Sequence, residues 1–265
     1  MAKPPRGGSG GKAGSASKTG RGGGSPGASG GQRNMRVRLK TARQRTTSQQ
    51  KWLERQLNDP YVAAAKRDGL RSRAAFKLIE IDDRQRLLKP GHRVVDLGAA
   101  PGGWTQVAVE RVKALEGRGQ VIGIDYLEMG SIPGATILQL DFLDDSAPDK
   151  LKALLRDGQA DVVLSDMAAP TIGHSGTDHL RIMGLAETAV QFAREVLAPG
   201  GAFLCKMFQG GTERELLADL KRDFETVRHI KPPASRKEST ELYVLATGFR
   251  GVGASQSDAL DEPNE

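Results

Sequence analysis

Between residues 93 and 247 the chain alternates short apolar runs with amphipathic stretches. Val94-Val95, Val121-Ile122-Gly123-Ile124 and Val162-Val163-Leu164 are continuous rather than alternating apolar runs, the pattern of parallel strands covered by helices on both faces. Strands are predicted over 93–97, 120–124, 136–140, 161–165, 202–207, 225–230 and 241–247, and helices over 103–115, 149–156, 178–197 and 212–222. Such alternation predicts an α/β doubly wound sheet with right-handed crossovers. The last two strands are separated by the turn Lys231-Pro232-Pro233 without a full helix, which favours an antiparallel hairpin at the sheet edge. Upstream, Trp52, Leu53 and Leu57 share one helical face within a basic segment, 35–58, and Asp59-Pro60 breaks that run. Ser72 is the expected N-cap of a helix whose apolar face (Ala75, Phe76, Leu78, Ile79) continues to about Leu87, before Pro90-Gly91.

Charge divides the chain further. Residues 1–50 carry eleven Lys or Arg and no Asp or Glu, whereas 251–265 carry four Asp or Glu and no Lys or Arg. The net charge of +7 therefore belongs to the ends, and 51–250 is neutral. The reading is a basic Gly/Ser-rich disordered arm at 1–50, a folded domain at 51–250 and an acidic disordered tail at 251–265. A basic arm suits the phosphates of nucleic acid, and a plain solubilising tail is the alternative. Cys205 is the single cysteine, which excludes an internal disulfide and a cysteine-based zinc site. His92, His174, His179 and His229 lack metal-ligand spacing, so no metal is expected. No apolar leader or stretch of about 20 apolar residues is present, so the expectation is a cytoplasmic protein without membrane contact.

The chemistry concentrates after the strands. Val94-Val95-Asp96-Leu97-Gly98-Ala99-Ala100-Pro101-Gly102-Gly103-Trp104 runs from a strand through a glycine turn into a helix, a layout that lets backbone approach a ligand. Ala100 breaks the dinucleotide fingerprint, which disfavours a nicotinamide enzyme. Asp125, after the second strand, suits two ribose hydroxyls; Asp141, after the third, suits an adenine amino group; Asp166 follows the fourth. Each alone is equally an ordinary strand-end or capping carboxylate. Lys206 lies within the apolar strand Phe203-Leu204-Cys205-Lys206-Met207-Phe208, where burial without a partner is costly, unless its ammonium reaches water. Lys77 reads as a solvated helix lysine or a functional one, and Glu241 as an edge carboxylate or a functional one.

Taken together, Gly69-Leu70-Arg71-Ser72-Arg73-Ala74-Ala75-Phe76-Lys77-Leu78, the glycine loop, Ser165-Asp166-Met167-Ala168, Lys206-Met207-Phe208-Gln209-Gly210 and the segment from Lys231 to Tyr243 resemble the FtsJ-like (RrmJ/RlmE) family of ribosomal RNA ribose methyltransferases over roughly residues 59–250. The resemblance implies the class I S-adenosylmethionine-dependent methyltransferase fold, Rossmann-like and mostly parallel with an antiparallel edge strand. It implies 2′-O-methylation of a uridine in large-subunit (23S) ribosomal RNA late in ribosome assembly. Lys77, Asp166, Lys206 and Glu241 would form the catalytic tetrad, and Gly102, Trp104, Asp125, Asp141 and Asp166 would hold S-adenosylmethionine. Ala168-Ala169-Pro170-Thr171 departs from the family's single Ala followed by Pro-Asn. Arg67, Arg71, Arg73 and Arg236 are candidate phosphate contacts, the partner being ribosomal RNA or the large subunit, with a monomer as the default. Transfer RNA as substrate, or a non-catalytic RNA-binding assembly factor on the same scaffold, are the competing readings.

Overall fold

The computed structural model describes residues 46–168, 175–208 and 213–251. The arm up to residue 45, His174, the run Ala169-Pro170-Thr171, Gln209-Gly210 and the tail from residue 252 lie outside the described residues. Seven strands form one sheet: β1 (Arg93–Leu97), β2 (Gln120–Asp125), β3 (Ala135–Gln139), β4 (Ala160–Ser165), β5 (Leu197–Phe208), β6 (Phe224–Ile230) and β7 (Glu241–Phe249). Their order is β3-β2-β1-β4-β5-β7-β6. The first five are parallel to one another, and β7 pairs antiparallel with both β5 and β6. The hairpin thus lies at the sheet edge as the short turn required, but the reversed strand is β7, one place in from the edge. β5 begins five residues before the expected position, because Leu197 pairs with Ala160 across a register shift before Ala202 meets Val162.

Among the described residues seven α-helices accompany the sheet: α1 (Thr47–Leu57), α2 (Pro60–Arg67), α3 (Ala75–Gln85), α4 (Gly103–Val112), α5 (Ala147–Leu154), α6 (Ser175–Val196) and α7 (Glu213–Asp223). Residues from α5, α6 and α7 cover one face, against Val95, Leu97, Val163, Phe203, Cys205 and Val244. Residues from α3 and α4 cover the other, against Val94, Val162, Leu164, Leu204, Tyr243 and Leu245. Alternate strand residues facing opposite layers account for the unbroken apolar runs.

Two local expectations are corrected. Asp59-Pro60 does break the first run, yet it also starts α2: Asp59 accepts the Tyr61 N–H at 3.0 Å, and Pro60 occupies the first turn, where its missing N–H costs nothing. Ser72 does not cap α3, whose N-cap is Ala74 without a side-chain bond. The Ser72 hydroxyl packs instead where Gly103 has no Cβ, at the start of α4.

Candidate active site

Parallel strands in this order put their carboxyl ends together, and there β1 and β4 diverge to either side. A cavity of about 760 Å³ opens at that edge, lined by Gly98, Asp125, Asp141, Asp166 and Met167, with Arg181 and Leu185 from α6 opposite. Gly98 has φ +75°, and a Cβ there would lie 2.7 Å from Met167 Cγ, so only glycine lets the β1 turn and the β4 end approach so closely. Asp125 is buried; one oxygen accepts the Ala100 N–H and the other the Leu127 N–H, both at 2.9 Å. Each oxygen retains a lone pair for a ribose hydroxyl. Asp141 is exposed at the far wall and accepts the Leu143 N–H at 3.0 Å, which fixes the carboxylate's direction.

Gly102 and Trp104 act differently from a lining residue. Gly102 (φ +107°) closes on Ile132 and Arg71, where a Cβ would lie 2.5 Å from Ile132 Cδ1. The indole of Trp104 is buried, donates to the Ala74 carbonyl at 2.8 Å and packs on Tyr243 with centroids 5.6 Å apart. Its ring is committed to the core, so a cofactor contact from Trp104 falls to its backbone N–H in the first turn of α4, where amides have no intrahelical partner.

Beside the cavity, the four residues of the expected tetrad converge from α3, β4, β5 and β7. Lys206 and Tyr243 are register partners, as are Phe208 and Glu241. Lys206 Nζ donates to the Asp166 carbonyl at 2.6 Å and lies 3.2 Å from its carboxylate. Lys77 Nζ donates to Glu241 at 2.8 Å and to the Tyr243 hydroxyl at 3.1 Å. That hydroxyl donates in turn to Asp166 at 2.8 Å. Tyr243, unmarked as a site residue by its strand sequence, therefore bridges two buried ion pairs. Ser235, also unmarked, donates to the second oxygen of Glu241 at 2.7 Å. Burial alone would raise the Asp166 carboxyl, but the ammoniums of Lys206 and Lys77 and the Tyr243 hydroxyl outweigh it and hold Asp166 below the ordinary carboxylate range. Burial, together with the Asp166 and Glu241 carboxylates, pushes the Tyr243 phenol well above its usual value, so it remains a donor.

Three of the four candidate phosphate contacts are spent inside the protein. Arg71 donates to the carbonyls of Pro101, Gly130 and Ser131, strapping the glycine loop. Arg73 pairs with Asp59 at 3.0 Å and donates to the Ala234 carbonyl at 2.6 Å; Arg236 also reaches Asp59, at 3.3 Å. Glu80 completes the fastening by accepting the Ala234 N–H at 2.6 Å. These contacts clamp the β6–β7 connection onto α2 and α3, which sets Glu241. Arg67 projects outward beside Asp68, and Arg71 is exposed as well despite its internal bonds.

Asp96, beneath the glycine loop, is fully buried and is hydrogen-bonded by Thr105, whose hydroxyl donates to it at 2.7 Å. Burial, with the Asp166 and Asp125 carboxylates nearby, pushes its carboxyl up to about 7. The folded state thus binds a proton that the unfolded chain releases near pH 4, and stability falls as pH rises from about 4 to about 7. Asp96→Asn should remove that slope. In denaturant titrations the wild type should lose roughly 2–3 kcal/mol relative to Asp96→Asn between pH 5 and pH 8; parallel profiles would refute the assignment.

Among the described residues no His, Cys, Asp or Glu cluster suits a metal, and no helix is long and apolar enough to cross a membrane. A model of FtsJ-like methyltransferases matches residues 70–249. The chain is 66% identical over 237 residues to the "Ribosomal RNA large subunit methyltransferase E" of Parvibaculum lavamentivorans, covering 87% of this chain and 93% of that one. It is 65% identical over 225 residues to the protein of the same name from Paramagnetospirillum magneticum, covering 84% and 92%. A crystal structure from Plasmodium falciparum, described as a putative ribosomal RNA methyltransferase, aligns with a TM-score of 0.62 at 34% identity, over 69% of this chain and all of that one.

Proposed function

The chain belongs to the FtsJ-like methyltransferase family, and on that footing we propose that it transfers a methyl group from S-adenosylmethionine to the ribose 2′-hydroxyl of a uridine in large-subunit (23S) ribosomal RNA, late in assembly and in the cytoplasm. The observation that carries the reading is the pair of buried ion pairs, Lys206–Asp166 and Lys77–Glu241, bridged by Tyr243 beside a cavity whose walls suit a nucleoside. The donor set fits the cofactor: Asp125 for the ribose hydroxyls, Asp141 for the adenine amino group and the first-turn amides of α4 for the remainder.

The cofactor supplies a methyl already activated on a sulfonium sulfur. What is left to the protein is alignment of an oxygen nucleophile and disposal of its proton. Transfer would leave the cofactor as a neutral thioether, and the proton displaced from the 2′-oxygen would pass to solvent water. Lys206 Nζ orients the hydroxyl lone pair and stabilises negative charge developing on the oxygen, while Asp166 holds Nζ through both carbonyl and carboxylate. Lys77, Glu241 and Tyr243 position Asp166 from the other side.

Purified protein, methyl-labelled cofactor and undermethylated large subunits test the reading. A single labelled 2′-O-methyl in large-subunit RNA is expected. Label on transfer RNA instead would keep the chemistry and change the substrate; cofactor binding with no label on any RNA would favour the assembly-factor alternative.

A further inference from the structure

A second cavity, of about 320 Å³, lies at the opposite end of the sheet from the tetrad. It opens where α3 ends, between the segment 85–92 and the outer parts of β6 and β7. Arg86, Lys89 and Arg228 line it; all three are exposed, and among the described residues none has an ion-pair or hydrogen-bond partner for its side chain. Thr226 and Thr247, directly opposite one another in the β6–β7 register, add two hydroxyls. The one carboxylate in the lining, Asp161, is already neutralised by Arg93, which binds both its oxygens, at 2.9 and 3.0 Å. The cavity therefore carries an uncompensated positive charge from two separate chain segments, the connection after α3 and strand β6. Arg86 caps α3 in the left-handed region, at φ 52°, a conformation better suited to glycine, so the local backbone does not explain an arginine there.

The geometry points to a binding site for RNA phosphodiester groups, a second anchor for the same substrate particle. Two cationic side-chain types and paired hydroxyls are phosphate-binding chemistry. Exposed cations on two segments distant in the chain suit an extended polyanion better than an enclosed small anion. The need is real at the catalytic end, where Arg71, Arg73 and Arg236 are consumed by internal partners. The anchor lies about 14 Å from Lys77 along α3 and about 13 Å from Tyr243 along β7, on the same side of the sheet. This inference rests on the proposed RNA substrate.

The test uses the full chain carrying Arg86→Gly together with Arg228→Ala; glycine is favoured at the left-handed cap, so the fold is retained. Expected are an unchanged melting temperature, unchanged cofactor affinity and kcat, and a raised KM for large subunits. The slope of log affinity for the RNA against log salt should fall by about two, one for each phosphate contact removed. Coincident slopes for the two proteins would overturn the proposal. Inorganic pyrophosphate is the second probe: if it raises the wild-type melting temperature but not the variant's, while the RNA slopes coincide, the site takes a small anion and the RNA assignment fails. The slope is read without turnover, so a wild type that methylates no RNA would remove the proposed function without deciding this test.

Discussion

Lys206→Ala should abolish methyl transfer while leaving cofactor binding nearly intact. Lys206 borders the cavity from β5 through Asp166 and is absent from the cavity's own lining, so its loss removes no wall from the cofactor site. What disappears is the ammonium that orients the attacking oxygen and stabilises its developing charge. Removing one preorganised donor from the place where negative charge develops costs about 10²–10³-fold. The expected result is a fall in kcat of about 10²–10³-fold with an unchanged dissociation constant in calorimetry. Turnover within a few-fold of wild type would take Lys206 out of the mechanism.

Asp166→Ala should be harsher, because Asp166 belongs to both halves of the site. It lines the cavity and also receives Lys206 and Tyr243, with Lys77 one hydrogen bond away. Truncation leaves the buried Lys206 ammonium without its carboxylate, a change that costs about 3–5 kcal/mol in comparable buried pairs. Cofactor affinity, turnover and melting temperature should all fall. Asp166→Asn preserves shape and hydrogen bonds while removing the charge; it should recover part of the stability and little of the turnover. Unchanged cofactor affinity in both variants would contradict the dual role. Because its proton affinity is depressed, Asp166 contributes stability throughout the neutral range, and that contribution is withdrawn only on acidification below the ordinary carboxylate range.

The sheet was legible because parallel strands announce themselves locally: an apolar run, then a glycine or an aspartate. Asp125, Asp141 and Asp166 follow their strands as the pattern required. Lys206 was legible for a related reason, a charge in a run with no room for one. Tyr243 was not, because in Leu242-Tyr243-Val244 an aromatic side chain reads as core, and it is core, with 0% exposure. Its hydroxyl acquires meaning only from Asp166 and Lys77, residues far away in the chain. The internal partners of the arginines were hidden in the opposite way. A guanidinium in a basic motif looks outward-facing, but Arg73 finds Ala234 across 161 positions, and no local pattern encodes that partner. Asp59-Pro60 breaks the run as read, and what stayed hidden is that the same pair starts α2.

The clamp on the β6–β7 connection has an entropic meaning. Ordering a backbone residue costs about 1–2 kcal/mol, and a ten-residue connection free to move would impose that cost at each encounter with substrate. Here Glu80, Arg73 and Asp59 hold residues 234–236 within the folded protein. The cost has been met once, at folding, so the wall that presents Glu241 is preorganised when RNA arrives, and binding energy from the RNA remains free to align the ribose.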